Sequence, residues 1–218
     1  MRLDLAERLR CPATDHAPTP LVVVARAVEG RDLRTGLAGC PLCRLEARFV
    51  DGDLCFDVPS GGPGAAATDV PPVRQASAPS DAVERLIALL GLAEPGGAVL
   101  LTPGYASMAD VLVESAGVAV VLLDPAGTGA LPPGRWVRGL TTAVPFTDGT
   151  FRAAALDAAS AAVTAEVLRC VVPQGRVVGA AALTPPDSVT VLARDDREWV
   201  GERGALPGPM VPLGRRGR

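Results

Sequence analysis

The chain contains no lysine and no asparagine, and it has one histidine, His16, and one tyrosine, Tyr105. A catalytic lysine is thereby excluded. All 21 basic positions are arginine, a usage that fits a bacterial-type, GC-rich coding sequence. Aromatic residues are scarce: Tyr105, Trp136, Trp199 and four phenylalanines. Of these, Phe146 and Phe151 read as core rather than as a substrate cage. The formal net charge is −3, so nothing global favours nucleic acid. No apolar run approaches the roughly 18 residues of a membrane span. The amino-terminal residues lack the uninterrupted apolar core of a signal peptide. A cytoplasmic location is expected. Disulfides are rare there, so the five cysteines read as thiols or metal ligands.

What is present is organised around residues 96–182. Residues 98–101 are a short apolar run of buried-strand type, followed by Thr102-Pro103-Gly104-Tyr105-Ala106-Ser107. A helical segment is expected over 108–116, then a second apolar run over 118–123 ending on Asp124. Further strands are expected over 135–140, 150–156 and 174–182, with a helix over 158–170. Residues 188–193 and 198–202 flank Arg194-Asp195-Asp196-Arg197 as a closing hairpin. Short apolar runs alternating with helices argue for βαβ units and a parallel sheet. Ligands of such sheets bind outside the carboxyl ends of the strands, which places residues 102–107 and Asp124 at a candidate site. Residues 125–134 hold three prolines and three glycines, leaving no room for the usual crossover helix.

Two stretches carry a family resemblance. Ala143-Val144-Pro145-Phe146-Thr147-Asp148-Gly149-Thr150-Phe151-Arg152-Ala153 resembles the Leu-Pro-Phe, Asp-Gly, Ser-Phe-Asp run of class I S-adenosylmethionine-dependent methyltransferases, of the methyltransferase type 11 kind. Residues 165–178 resemble that family's helix, Pro-Gly-Gly turn and fifth strand. The resemblance covers roughly residues 81–203 and implies a reduced Rossmann-like methyltransferase sheet, mostly parallel with an antiparallel last strand. It also implies a cofactor site. The family's first strand ends in an acid and a Gly-x-Gly-x-Gly loop; aligned on Gly104, this chain offers Thr102, Gly104, Ala106 and Met108. Asp124 matches the acid that binds the ribose hydroxyls. The acid after the third strand is replaced by Gly139-Leu140-Thr141-Thr142. Read without the family, Gly104 is a plain tight turn and Asp124 a turn opener before Pro125. Asp157 and Ser160 follow the fourth strand with no aromatic or amide clamp, and Asp157 equally suits a helix cap.

The amino-terminal part reads differently. Residues 21–28 suggest a strand, and residues 45–56 a hairpin turning at Asp51-Gly52-Asp53. Together with Cys11-Pro12 and Cys40-Pro41-Leu42-Cys43, this resembles the small Trm112-like zinc ribbons, which carry two Cys-Pro-x-Cys knuckles on hairpins. Zinc takes four soft or borderline ligands in a tetrahedron, and a CxxC turn aims two thiolates at one point. The second knuckle is intact, but Thr14 stands where the first one's second cysteine belongs. His16, five residues after Cys11, is the candidate replacement, giving Cys11, His16, Cys40 and Cys43. Cys55 or Asp15 is the alternative fourth ligand, and a ribbon without metal is the alternative to the site itself.

The expected organisation is a zinc-ribbon-like module over 1–58, a Pro/Gly/Ala linker over 59–79, a methyltransferase-like domain over 80–203 and a Pro/Gly/Arg tail over 204–218. Linker and tail have too few large apolar residues to fold alone, which suits docking segments. Arg215, Arg216 and Arg218 could pair with carboxylates, or with phosphates of a membrane surface. Methyl transfer needs a donor held in line with a nucleophile. With one loop glycine of three and two acids missing, S-adenosylmethionine binding is expected to be weak or absent. The functional expectation is a degenerate, non-catalytic methyltransferase-like subunit of a larger protein assembly, with nucleic acid an unfavoured partner. The alternative is an active methyltransferase of unknown substrate.

Overall fold

The computed structural model describes residues 1–56, 79–124, 134–140 and 142–204. The expected linker up to residue 78, the proline- and glycine-rich stretch 125–133, Thr141 and the tail beyond Gly204 lie outside these residues. Among the described residues no helix is long and apolar enough to cross a membrane.

The amino-terminal segment opens with a single helical turn, α1 (Leu3–Ala6), and four antiparallel strands. They are β1 (Val22–Glu29), β2 (Asp32–Gly39), β3 (Glu46–Val50) and β4 (Asp53–Phe56). Strand β3 alternates, with Ala47 and Phe49 buried and Glu46, Arg48 and Val50 exposed, as a sheet with one covered face requires. The β3–β4 turn puts Asp51 at φ +50° and Gly52 at φ +90°, the two positive values that tight primed hairpins demand.

After α2 (Ser80–Leu89), β5 (Ala98–Leu101) leads through a 3-10 turn at Pro103–Met108 into α3 (Ala109–Ala116). Gly117, at φ +60°, ends that helix, the left-handed stop that glycine permits without strain. Then come β6 (Ala119–Asp124), β7 (Trp136–Arg138) and β8 (Phe151–Leu156). A 3-10 turn at Ala158–Val163 precedes α4 (Thr164–Cys170) and β9 (Val171–Ala180). The chain closes on the hairpin β10 (Val189–Arg194) and β11 (Glu198–Arg203).

Among the described residues the eleven strands form one sheet in the order β1-β2-β3-β4-β7-β6-β5-β8-β9-β11-β10. The run from β4 through β9 is parallel, and β11 lies antiparallel between β9 and β10. The fold is therefore α/β, with a mostly parallel centre, an antiparallel carboxyl-terminal hairpin and an antiparallel, zinc-ribbon-like amino-terminal edge. That edge is hydrogen-bonded to the rest, since Leu54 and Cys55 of β4 pair in parallel with Val137 and Arg138 of β7.

Central strands are buried on both faces, so β5 and β6 read as continuous apolar runs. Alternate residues of β5 feed opposite cores. Val99 and Leu101 pack with α2 and α3 through Val83, Leu86 and Leu112. Leu100 packs on the other side with α4 and the amino-terminal segment, through Val167, Leu168, Leu9 and Leu33. Phe146 and Phe151, both fully buried, meet edge to face at 5.0 Å in that second core.

Two expected elements differ. The single helix over 158–170 is split, its first half being a 3-10 turn. The strand expected from Gln174 starts three residues earlier, at Val171, directly after α4. Pro173 offers no N–H to the ladder, and Gln174 adopts φ +62°. The turn is thus absorbed as a bulge, with pairing jumping from Phe151–Val171 to Ala153–Arg176.

Candidate metal centre and the crevice at the carboxyl ends of the strands

Four side chains converge at the amino-terminal edge. The ligand atoms of Cys11, His16, Cys40 and Cys43 all lie within 4.8 Å of one another. Cys11 Sγ is 3.5 Å from Cys43 Sγ, and Cys40 Sγ is 3.5 Å from His16 Nε2. A tetrahedron with metal–sulfur bonds of about 2.3 Å and a metal–nitrogen bond of about 2.0 Å has edges of roughly 3.5 to 3.8 Å. The residues therefore fit a zinc ion in number, donor type and spacing.

Local hydrogen bonds build the site. The Cys40 N–H donates to Leu45 O at 2.9 Å and the Arg44 N–H to Cys40 O at 3.2 Å, with Arg44 at φ +61°. This knuckle turns Cys40 and Cys43 inward together. Across from it, the Cys11 N–H donates to Thr19 O at 2.8 Å, closing the loop that carries His16. His16 Nδ1 lies 2.7 Å from Ala17 O. A carbonyl can only accept, so Nδ1 of the neutral ring carries the proton and Nε2 keeps its lone pair for a metal. Thiol acidities differ across the site. Burial pushes the Cys11 thiol up to about 12. The Leu45 N–H, donating to Cys43, holds that thiol below its ordinary value against the effect of burial.

The motif around residues 143–153 supports this centre from behind. Leu9 bridges to Phe146, the Arg10 N–H donates to Pro145 O, and the Thr147 N–H donates to Arg8 O. Arg169 of α4 donates to Val144 O at 2.9 Å and Phe146 O at 2.8 Å while pairing with Glu166. Cys11 thus follows directly on a segment zipped to the buried strap between β7 and β8. Of the two alternative ligands, one stands apart from the cluster and the other borders it. Cys55 sits on β4, opposite Arg48 and Arg138. Asp15 Oδ1 is 3.8 Å from His16 Nε2 on an exposed side chain.

Strand order reverses between β5 and β8, the position where open α/β sheets form a crevice. A cavity of about 390 Å³ opens beside it, lined by Asp81, Arg85, Gly104, Tyr105, Met108 and Glu198. Burial, followed by the charges of Glu198 and Asp157, pushes the Tyr105 hydroxyl up to about 12. At the reversal the two strand ends are tied together. The Gly104 N–H donates to Asp157 Oδ2 at 2.7 Å, and Ser160 Oγ donates to Asp157 Oδ1 at 2.6 Å. Thr102 Oγ1 accepts from the Asp157 N–H at 2.8 Å and donates to Ala155 O. A Cβ on Gly104 would stand 2.8 Å from Asp157 Cβ, so this glycine admits the Asp157 side chain.

Asp124, at the end of β6, is 2% exposed and faces Arg138, whose Nη1 donates to its Oδ2 at 3.3 Å. Arg138 also donates from Nε and Nη2 to Asp53 Oδ2, both at 3.2 Å, and lies over the Trp136 ring at 4.9 Å. Asp53 Oδ1 accepts three further bonds, from the N–H groups of Gly134, Arg135 and Trp136. Gly104 and Asp124 therefore end adjacent strands, but each is engaged by its own chain. Reading the sequence missed Asp53 and Arg138 as partners. Asp53 sits in a turn motif that accounts for it locally, and nothing in its neighbourhood points 85 residues ahead.

No family model matches the chain, and no curated protein matches it. Solved structures do. A putative sarcosine dimethylglycine methyltransferase from Galdieria sulphuraria is 18% identical, covering 46% of this chain and 45% of that one, with a TM-score of 0.35. TrmN from Thermus thermophilus is 16% identical, covering 56% of this chain and 48% of that one, with a TM-score of 0.39. An S-adenosyl-L-methionine methyl transferase from Silicibacter pomeroyi is 16% identical, covering 56% of this chain and 89% of that one, with a TM-score of 0.41. This chain spans about half the length of the first two. Likeness at this level carries no argument about chemistry, which rests on the side chains described above.

Proposed function

We propose that this protein is a methyltransferase-like, non-catalytic binding subunit of a protein assembly, stabilised by a zinc ion at its amino-terminal edge. The observation that carries the first part is the Gly104–Asp157 contact. The backbone N–H that a cofactor carboxylate or hydroxyl would need is already taken by a carboxylate of the same chain. Asp124 supports the reading, because its carboxylate lies under Arg138 at 2% exposure rather than free to hold a ribose. Thr102 supports it too, since it is buried and offers no negative charge.

Zinc in this reading is held by Cys11, His16, Cys40 and Cys43. Its chemistry is that of a cross-link: four protein ligands close the tetrahedron and leave no position for water. The ion pins the loop that carries Cys11 and His16 to the knuckle that carries Cys40 and Cys43. Docking through residues 59–79 and 204–218, and a cytoplasmic location, rest on composition alone. A single observation favours the alternative of an active methyltransferase: the 390 Å³ cavity at the strand ends.

Calorimetric titration with S-adenosylmethionine and S-adenosylhomocysteine separates the two. No saturable heat is expected. Micromolar binding abolished by Asp124→Ala, in a variant that stays folded, would establish the enzyme reading instead.

A further inference from the structure

We propose that Cys43 and Cys11 are a redox pair, oxidised by a hydroperoxide to a disulfide with release of the metal ion. The inference rests on the metal reading for the ion, but its thiol geometry is independent of it. Of the three cysteines in the cluster, Cys11 and Cys40 are buried and Cys43 is half-buried. Cys43 is therefore the sulfur a small oxidant reaches first. Its Sγ lies 3.5 Å from Cys11 Sγ, while Cys40 Sγ faces His16 Nε2 at the same distance. All three sulfurs lie within 4.8 Å of one another, but Cys11 is the thiol at 3.5 Å from Cys43, and Cys40 is engaged by the imidazole. Closing a disulfide needs the two sulfurs to approach to about 2.05 Å. The shift falls to the half-buried Cys43 side chain on its turn, since the Cys11 backbone is held by its bond to Thr19 O.

The step balances. The Cys43 sulfur attacks the terminal peroxide oxygen, the O–O bond breaks, and an alcohol or water leaves with a proton, giving a sulfenic acid. The Cys11 sulfur then attacks the Cys43 sulfur, the S–O bond breaks and water leaves. Two electrons pass from the two sulfurs to the peroxide. Cys40, losing its metal, takes up a proton, and the ion departs because His16 and one thiol are too few to hold it. Cys55 and Cys170 stand outside the cluster and serve as internal controls.

The sequence makes the pairing readable. Trypsin cuts after Arg10, Arg26, Arg34 and Arg44, so Cys11 lies in the peptide 11–26 while Cys40 and Cys43 share the peptide 35–44. The full chain, with its metal content measured, is treated with hydrogen peroxide, alkylated under denaturing conditions and digested. Expected are release of about one equivalent of zinc and a cross-link between the two peptides at Cys43, with Cys40 alkylated. Reductant with added zinc should reverse both. A disulfide inside 35–44, or sulfinic acid on Cys43 without a cross-link, would overturn the pair. Cys43→Ser should abolish the cross-link. Should that variant fail to fold, Cys40→Ser keeps both members of the pair and must still form it. A cross-link in protein purified without metal would sink the metal reading and uphold the pair. Metal-bearing protein that resists peroxide would do the reverse.

Discussion

Asp157 lies across the point where the strand order reverses, its Oδ2 accepting the Gly104 N–H at 2.7 Å and its Oδ1 accepting from Ser160. One carboxylate therefore joins the loops that leave β5 and β8. In a ligand-binding α/β protein those loops stay apart to admit the ligand. Here a carboxylate of the protein spans them, beside the 390 Å³ cavity.

Gly104→Ala should test that contact directly. Its new Cβ would meet Asp157 Cβ at 2.8 Å, so the loop must shift, at an expected loss of about 1–3 kcal/mol. Asp157→Ala should lose about 1–2 kcal/mol, as its hydrogen-bonded partners are left without an acceptor. Because both changes act on one contact, the double variant should lose clearly less than the sum in urea unfolding. Simple additivity would show that the two residues are uncoupled.

Asp53 should matter more than its place in a hairpin turn suggests. It accepts three backbone N–H groups from the start of β7 and pairs with the mostly buried Arg138. Asp53→Ala is expected to destabilise by about 3–5 kcal/mol, the range for breaking a buried pair from one side. Asp124→Ala should also destabilise the protein with no cofactor present. An Asp124 variant as stable as the wild type would return that residue to a ligand-binding role.

Metal content should follow the cluster and ignore Cys55. Cys40→Ala should abolish stoichiometric zinc in elemental analysis, while Cys55→Ser should retain it. His16→Ala should weaken retention against a competing chelator, because three ligands remain. Chelation of the wild type should lower its melting temperature, since the ion binds the folded chain in preference to the unfolded one. Zinc-free protein with an unchanged melting temperature would remove the ion from the account.

Glu166 should give the protein part of its acid sensitivity. Burial pushes its carboxyl up, but the Arg169 hydrogen bonds and charge, with help from Arg10, hold it below its ordinary value of 4.5. A carboxyl whose folded value is depressed binds its proton more readily in the unfolded chain. Its contribution is therefore full above about pH 4.5 and lost as pH falls through the folded value. Glu166→Gln should be less stable than wild type at pH 7, and the gap should narrow steadily below pH 4.5 in urea titrations. A gap independent of pH would assign the effect to packing.

Much of the fold was legible from local pattern. The uninterrupted apolar runs of β5 and β6 mark strands buried on both faces, and the alternation in β3 marks a strand with one open face. The Asp51-Gly52 turn followed from residues that tolerate positive φ. Boundaries set by competition between neighbours were not legible. The bulge at Pro173 and Gln174 belongs to β9 because pairing with β8 continues across it, and the segment itself does not reveal that.

Residue types and spacing by themselves determined that Cys40 and Cys43 form a knuckle, because a four-residue turn brings its two ends to one point. They also determined that Asp124 ends a buried strand. Tertiary structure alone decided that Cys11 and His16 meet that knuckle, that β4 joins β7 in one sheet, and that Arg138 sits between Asp53 and Asp124. It likewise decided that the Asp157 carboxylate meets the Gly104 N–H. Each of these contacts joins positions 14 to 85 residues apart. A charge or a thiol carries no mark of a partner so distant in the chain; the partner is chosen when the sheet assembles and burial leaves each polar group only the neighbours packed against it.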